Sequence, residues 1–391
     1  MKAYNRHKFF WKLVRILTPA FIKPLFNFSC EKVKDIDAPY LVLANHNCDL
    51  DPVFLGYAFP QQMYFVASEH VYRAGIASHI LRFVFEPIAK RKGTSDALTV
   101  MKAIRTLREG KNVCLFPEGQ KSFNGLTGEI HIATGKLVKA SKANLVTYKF
   151  QGGYFTTPRW GKGIRKGKVT GKLVNFYTKE QLDALSAEEI TERIKQDLYE
   201  DAYERQEESP IKYKTKKIAE GLESALCVCP SCNNIDSLCS KKNVIVCKEC
   251  GLTATLDNYY YFNNNKPFKT ITEWDFYQQN FIKEMVHKNS DSSESIFYNQ
   301  KVTLKSVKAE HKEETLGTGI FLLYNDRFVF QNKEKTFTFN FDTIEDISMF
   351  GRQSLVFSDT QKNYYELTSK EIINVRKYIF YFKFWQEQNT K

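Results

Sequence analysis

"NHNCDLDP", residues 45–52, follows the apolar run Tyr40-Leu41-Val42-Leu43-Ala44. A run of that length fits one buried strand, and the cluster of a histidine, two carboxylates and a proline fits the edge where such a strand ends. Asp51 ahead of Pro52 predicts a helix start, because Asp is a favoured cap, Pro is favoured at the first helical position, and a residue before proline prefers extended backbone. In a regular helix, side chains five residues apart diverge by ~140°. His46 and Asp51 therefore meet only if His46 lies in the loop and Asp51 caps the helix. The pair then reads as a base and the anion that fixes its tautomer. The alternative is a strand terminator beside a plain cap.

The design recurs at "NVCLFPEGQKS" (112–122), a short apolar strand that breaks into Pro117-Glu118-Gly119 with cations behind it. Strand C-terminal ends in open α/β sheets are where ligands bind. Between about 40 and 175, apolar runs at 40–44, 63–67, 113–116 and 145–150 alternate with helical periods, which predicts an α/β domain. One helix is expected over "SDALTVMKAIRTLREG", capped by Ser95, with Leu98, Met101, Ile104 and Leu107 or Arg108 following the helical spacing, and ended by Gly110. A second is expected over about 69–85, and a polar one over 186–208, opened by the capping box Ser186-Ala-Glu-Glu189.

The chain has 391 residues, 43% of them apolar, enough for two or three domains. Its net charge of +13 is uneven: residues 1–178 hold 28 Lys/Arg against 11 Asp/Glu, and the remainder 29 against 33. A basic first half attracts anionic lipid, phosphorylated substrates, acidic carriers or nucleic acid. The opening "HKFFWKLVRILTPAFIKPLFNF" is interrupted by charges and by Pro19 and Pro24, so it fits neither a membrane span nor a signal peptide. Two short amphipathic helices over 1–28 are expected instead, with Phe9, Phe10, Leu13, Val14 and Leu17 on a face that lies in a membrane interface.

At Asn45-His46-x4-Asp51 and Phe116-Pro117-Glu118-Gly119 the sequence resembles the lysophospholipid acyltransferases, the glycerol-3-phosphate and 1-acylglycerol-3-phosphate acyltransferases. "EPIAKRKG", with Lys90 and Arg91, matches the family's second block. Lys121-Ser122 stands where the family usually has Arg-Ser, and "NLVTYKFQGG" lacks the usual strand proline. The resemblance implies a mixed sheet with flanking helices over 29–210. It implies acyl transfer from acyl-CoA or acyl-carrier protein to a lysophospholipid, with lysophosphatidic acid as the expected acceptor. By the same likeness His46 is the base, Asp51 its orienting acid, and Glu118 a further member of the catalytic set. Asn45, Lys90, Arg91, Phe116, Pro117, Gly119, Lys121 and Ser122 would surround the acceptor and its phosphate. A non-catalytic lipid-binding adaptor is the competing class.

Nine cysteines, an odd number, include Cys229-Pro-Ser-Cys232 and Cys247-Lys-Glu-Cys250. That usage fits a reducing compartment and a structural zinc ribbon within 211–290, with Cys227 and Cys239 spare. Few lysines flank these pairs, so nucleic-acid binding, the third class considered, is not expected. A helix is expected over "ITEWDFYQQNFIKEMVHK" and a linker over 289–295. From 297 to 391, strands at 318–323, 327–331, 335–341, 353–358 and 363–367 and a helix over 369–387 resemble a pleckstrin-homology-like or GRAM-like β-sandwich or barrel. A cytoplasmic protein on the cytosolic face of a membrane is the expectation.

Overall fold

The computed structural model describes residues 2–34, 36–70, 76–90, 97–288, 294–307 and 313–389. Two compact units emerge, the first reaching Thr215 and the second beginning at Lys216, with 160–162 belonging to the second.

The first unit opens with helix α1 (Lys2–Phe26), continues through strand β1 (Ser29–Cys30), β2 (Tyr40–Ala44), α2 (Asp51–Ala58), β3 (Met63–Ser68), α3 (Ile76–Phe85) and β4 (Ile88–Lys90), and then α4 (Ala97–Arg108), β5 (Asn112–Leu115), α5 (Ile132–Ser141) and β6 (Asn144–Gln151). It closes with α6 (Gly153–Thr156), β7 (Thr170–Tyr177), α7 (Lys179–Asp183), α8 (Ala187–Leu198) and α9 (Ala202–Glu208). The strands form one sheet in the order β1-β7-β6-β2-β5-β3-β4. All neighbours run parallel except β6 and β7. The central strand β2 is buried along its whole length, as its uninterrupted apolar run demands. Core residues lie on both faces, Phe54, Phe59 and Tyr148 on one and Leu107, Val138 and Ile194 on the other.

Three expectations change. Residues 2–26 form one helix instead of two, with Pro19 and Pro24 inside it; Pro24 removes a bond only from exposed Ala20, whose carbonyl water can satisfy. The buried seat of α1 is His7, Trp11, Thr18, Ile22 and Phe26, while Phe9, Leu13, Ile16, Leu17, Phe21 and Leu25 face outward. In α4 the inner face is Thr99, Ala103 and Leu107, leaving Leu98 and Met101 exposed at 77% and 65%; Ser95 lies outside the described residues. The polar helix over 186–208 breaks at Tyr199-Glu200-Asp201, although its Ser186–Glu189 capping box forms. No helix among the described residues is long and apolar enough to cross a membrane.

The second unit begins with a three-stranded antiparallel sheet of β8 (Leu238–Lys241), β9 (Val244–Cys247) and β10 (Thr253–Thr255), followed by α10 (Ile271–Lys288). A second antiparallel sheet comprises β11 (Phe297–Val307), β12 (Glu313–Leu323), β13 (Arg327–Gln331), β14 (Thr336–Asn340), β15 (Ile344–Phe350), β16 (Ser354–Asp359) and β17 (Tyr364–Ser369). Its order is β14-β13-β12-β11-β17-β16-β15, and α11 (Arg376–Asn389) closes it. Residues 370–375 precede that helix instead of belonging to it. The expected linker at 289–295 lies outside the described residues except for 294–295. In this unit Arg376 makes a buried bidentate ion pair with Asp275 of α10, at 2.6 and 3.0 Å.

Candidate active site

The loop after β2 carries His46, and the helix that follows begins at Asp51 itself, with Leu50 at the cap position and Pro52 in the first turn. Asp51 is therefore the first helical residue, a correction to the cap reading. Its carboxylate turns back over the preceding loop, where Oδ2 accepts the amides of Asn47 and Cys48 at 2.8 and 2.9 Å. The same oxygen meets His46 Nδ1 at 2.9 Å. Asp51 is fully buried, whereas the His46 side chain keeps 22% of its surface open. With two amides already directed at Oδ2, Nδ1 is the donor to the carboxylate and Nε2 is the basic nitrogen. Phe116 stacks on the imidazole at 4.3 Å between centroids and fixes the ring plane.

The β5 end completes the loop. Glu118 accepts the His46 amide at Oε1 (2.7 Å) and the Gly128 amide at Oε2 (2.6 Å), so both carboxyl oxygens hold backbone. Exclusion of water pushes this carboxyl up to about 8, against the two amides that favour the anion. The Gly119 amide is taken by Phe116 O, at a positive φ of 68° that suits glycine. Ser122 donates its amide to His46 O at 3.1 Å, and its buried hydroxyl accepts from the Gly125 amide. Pro117 is half-buried in the same turn. Lys121, its side chain only 14% exposed, pairs with Asp49 at 2.7 Å.

Asn45 lies behind the site and is fully buried: Oδ1 accepts the Phe150 amide at 2.7 Å, and Nδ2 donates to Phe150 O at 2.8 Å. Both Asn45 and Asn47 reach Glu200 Oε2, from the break between α8 and α9. Glu200 Oε1 takes the Gly152 amide and Arg205 Nε at 3.2 and 3.3 Å. Burial pushes Glu200 up to about 7, with Arg205 opposing. Gly153 allows this approach, since a Cβ there would lie 3.0 Å from that of Asn47. Lys90 is exposed at the end of β4, three strands from β2 and so roughly 14 Å across the sheet. Arg91 lies outside the described residues.

Glu200, Arg205 and Arg159 are absent from the sequence-based set. Arg159, 5% exposed, donates to Gln120 Oε1 at 2.7 Å and covers Phe123 at 4.4 Å, placing a guanidinium beside the Lys121 segment. Its signal was weak, a lone Arg after Thr157-Pro158 with no motif around it.

In the second unit, the sulfurs of Cys229, Cys232, Cys247 and Cys250 all lie within 4.8 Å of one another. The Cys229–Cys250 and Cys232–Cys247 separations are 3.6 and 3.8 Å. A tetrahedron with Zn–S arms of ~2.3 Å has edges of about 3.8 Å, so the four thiolates fit zinc. Four sulfurs would close the coordination sphere of such an ion, and the chemistry it would supply is structural. Cys227 stands apart, buried and donating its amide to Gln278 at 2.7 Å.

No curated protein matches the chain. Among solved structures, the 1-acyl-sn-glycerophosphate (LPA) acyltransferase PlsC from Thermotoga maritima is similar at 16% identity and a TM-score of 0.41, over 49% of this chain and 78% of that one. Dcp1p matches at 9% identity and a TM-score of 0.19, over 27% of this chain and 92% of its own. The Inner Membrane Complex Sub-compartment Protein 3 from Toxoplasma gondii matches at 9% and 0.18, over 23% and 76%. Residues 27–156, the stretch that holds His46, Asp51 and Glu118, match the family model described as Acyltransferase.

Proposed function

We propose that the chain transfers a fatty-acyl group from acyl-CoA or acyl-carrier protein to the hydroxyl of a lysophospholipid, with lysophosphatidic acid as acceptor. The observation that carries this reading is the His46–Asp51 pair, in which a buried carboxylate holds Nδ1 and leaves Nε2 toward the open side. As the acceptor oxygen attacks the thioester carbonyl, Nε2 takes its proton, and Asp51 stabilises the imidazolium. Collapse of the tetrahedral intermediate breaks the C–S bond, and the departing thiolate recovers that proton from His46. Glu118, Asn45, Asn47 and Glu200 act as positioning residues that hold the loop. Lys121 and Arg159 supply positive charge for the acceptor's phosphate.

The outward face of α1, Phe9, Leu13, Ile16, Leu17, Phe21 and Leu25 with Lys12 and Lys23 exposed among them, suits the interface of a cytosolic membrane surface, where both substrates are found. In the second unit, zinc on the four cysteines acts as a folding staple. The seven-stranded antiparallel sheet and its closing helix support reading the C-terminal module as pleckstrin-homology-like, serving as a protein or lipid contact surface. The test is acyl transfer by purified protein with radiolabelled acyl-CoA and a panel of lysolipids. His46→Ala abolishes product while circular dichroism stays unchanged; undiminished turnover in that variant removes the base from the mechanism.

A further inference from the structure

In the first unit, the segment before β7 and the segment after α9 meet in an antiparallel bridge that sets Lys166 opposite Lys214, with the Lys214 amide donating to Lys166 O at 2.9 Å. Lys168 and Lys212, each two residues from the bridge, are exposed as well and line the same hollow. The residues between turn the other way. Tyr213 is fully buried against Phe155, at 5.2 Å, and a Cβ on Gly167 would come within 2.2 Å of the Tyr213 ring. Four exposed lysines thus line one open hollow of about 460 Å³.

None of the four has an acidic partner among the described residues, and no carboxylate lines the hollow. Like charges directly opposed across a strand pair destabilise it. Fold stability therefore gains nothing from this arrangement, whereas a compact polyanion would relieve it. The hollow also abuts α1: Asn27, the residue after that helix, lines it, and the Val169 amide donates to Phe26 O at 3.2 Å. The adjoining end of α1 exposes Phe21, Lys23 and Leu25. An apolar helix end continuous with a cationic hollow matches acyl chains beside phosphates in a bilayer interface.

We infer that the hollow of Lys166, Lys168, Lys212 and Lys214 binds the phosphates of anionic lipid headgroups, an inference that rests on the reading of α1 as a membrane-contact helix. The experiment is sedimentation with vesicles of phosphatidylcholine alone and of phosphatidylcholine doped with phosphatidylserine. Each lysine at an anionic surface contributes about fivefold in partitioning. Lys166→Gln/Lys214→Gln therefore lowers partitioning onto doped vesicles about 25-fold and leaves neutral vesicles unaffected, whereas Phe9→Ser/Ile16→Ser lowers both. A doped-to-neutral ratio unchanged in the lysine variant overturns the site alone; wild-type protein that ignores both vesicle types overturns the α1 reading. Weakened binding of free CoA by calorimetry, with vesicle partitioning intact, also overturns the lipid assignment by giving the hollow to a soluble phosphate.

Discussion

Asp51→Asn separates the charge of the site from its geometry. The Asn47 and Cys48 amides both point at Oδ2, so they hold an asparagine with its carbonyl oxygen in that place, still able to accept from His46 Nδ1. What disappears is the negative charge 2.9 Å from the imidazole. At an effective dielectric of ~20, a unit-charge pair at that distance is worth about 6 kcal/mol to the imidazolium. At 1.36 kcal/mol per decade, kcat falls about 10⁴-fold. The new amide nitrogen would occupy the place of Oδ1, which has no hydrogen-bond partner among the described residues, so a loss of about 1–2 kcal/mol in stability is also expected. Single-turnover acyl transfer measures the first effect and urea unfolding the second. A folded Asp51→Asn protein within tenfold of wild-type rate would refute the claim that this carboxylate works through its charge.

In a Cys229→Ser/Cys232→Ser double variant, zinc content measured by atomic absorption drops to background and chelator no longer changes the melting temperature. Burial, helped by Arg6, pushes His7 down to about 4 from 6.5, so the fold holds it neutral. Its contribution is therefore complete above pH 6.5 and is lost as pH falls toward 4, by about 3 kcal/mol in all; His7→Leu flattens unfolding free energy across that window. Gly135→Ala would put a methyl 2.0 Å from Ala187 O and 2.3 Å from Thr191 Oγ1, where α5 packs on α8. A loss of about 3 kcal/mol in chemical unfolding is expected, and a neutral result would mean those helices part at little cost.

The central strands were legible because both faces of β2 and β5 are covered, which leaves unbroken apolar runs in the sequence. Strand β15 was not: a bulge between Ile344 and Asp346 shifts its inward residues out of strict alternation, and acidic residues mask the rest. In α4 the exposed Leu98 and Met101 mimic a core stripe, while Thr99 and Ala103 face the sheet. At the site, His46 and Asp51 could be read because five residues and one turn join them. Glu200 could not, since it lies 155 residues from Asn45 and arrives through the packing of the α8–α9 break. Its local trace is the Asp201 cap, whose side chain accepts the Tyr203 and Glu204 amides, inside what periodicity reads as one continuous helix.

That break sets the minimum length of a working catalytic fragment. The family match ends at residue 156, yet the carboxylate that braces the His46 loop from beneath comes from residue 200, and its own guanidinium prop from 205. A truncation that kept every motif residue but stopped short of α9 would preserve the reacting groups and set their loop adrift. Excision or domain shuffling in this chain can succeed only downstream of that brace.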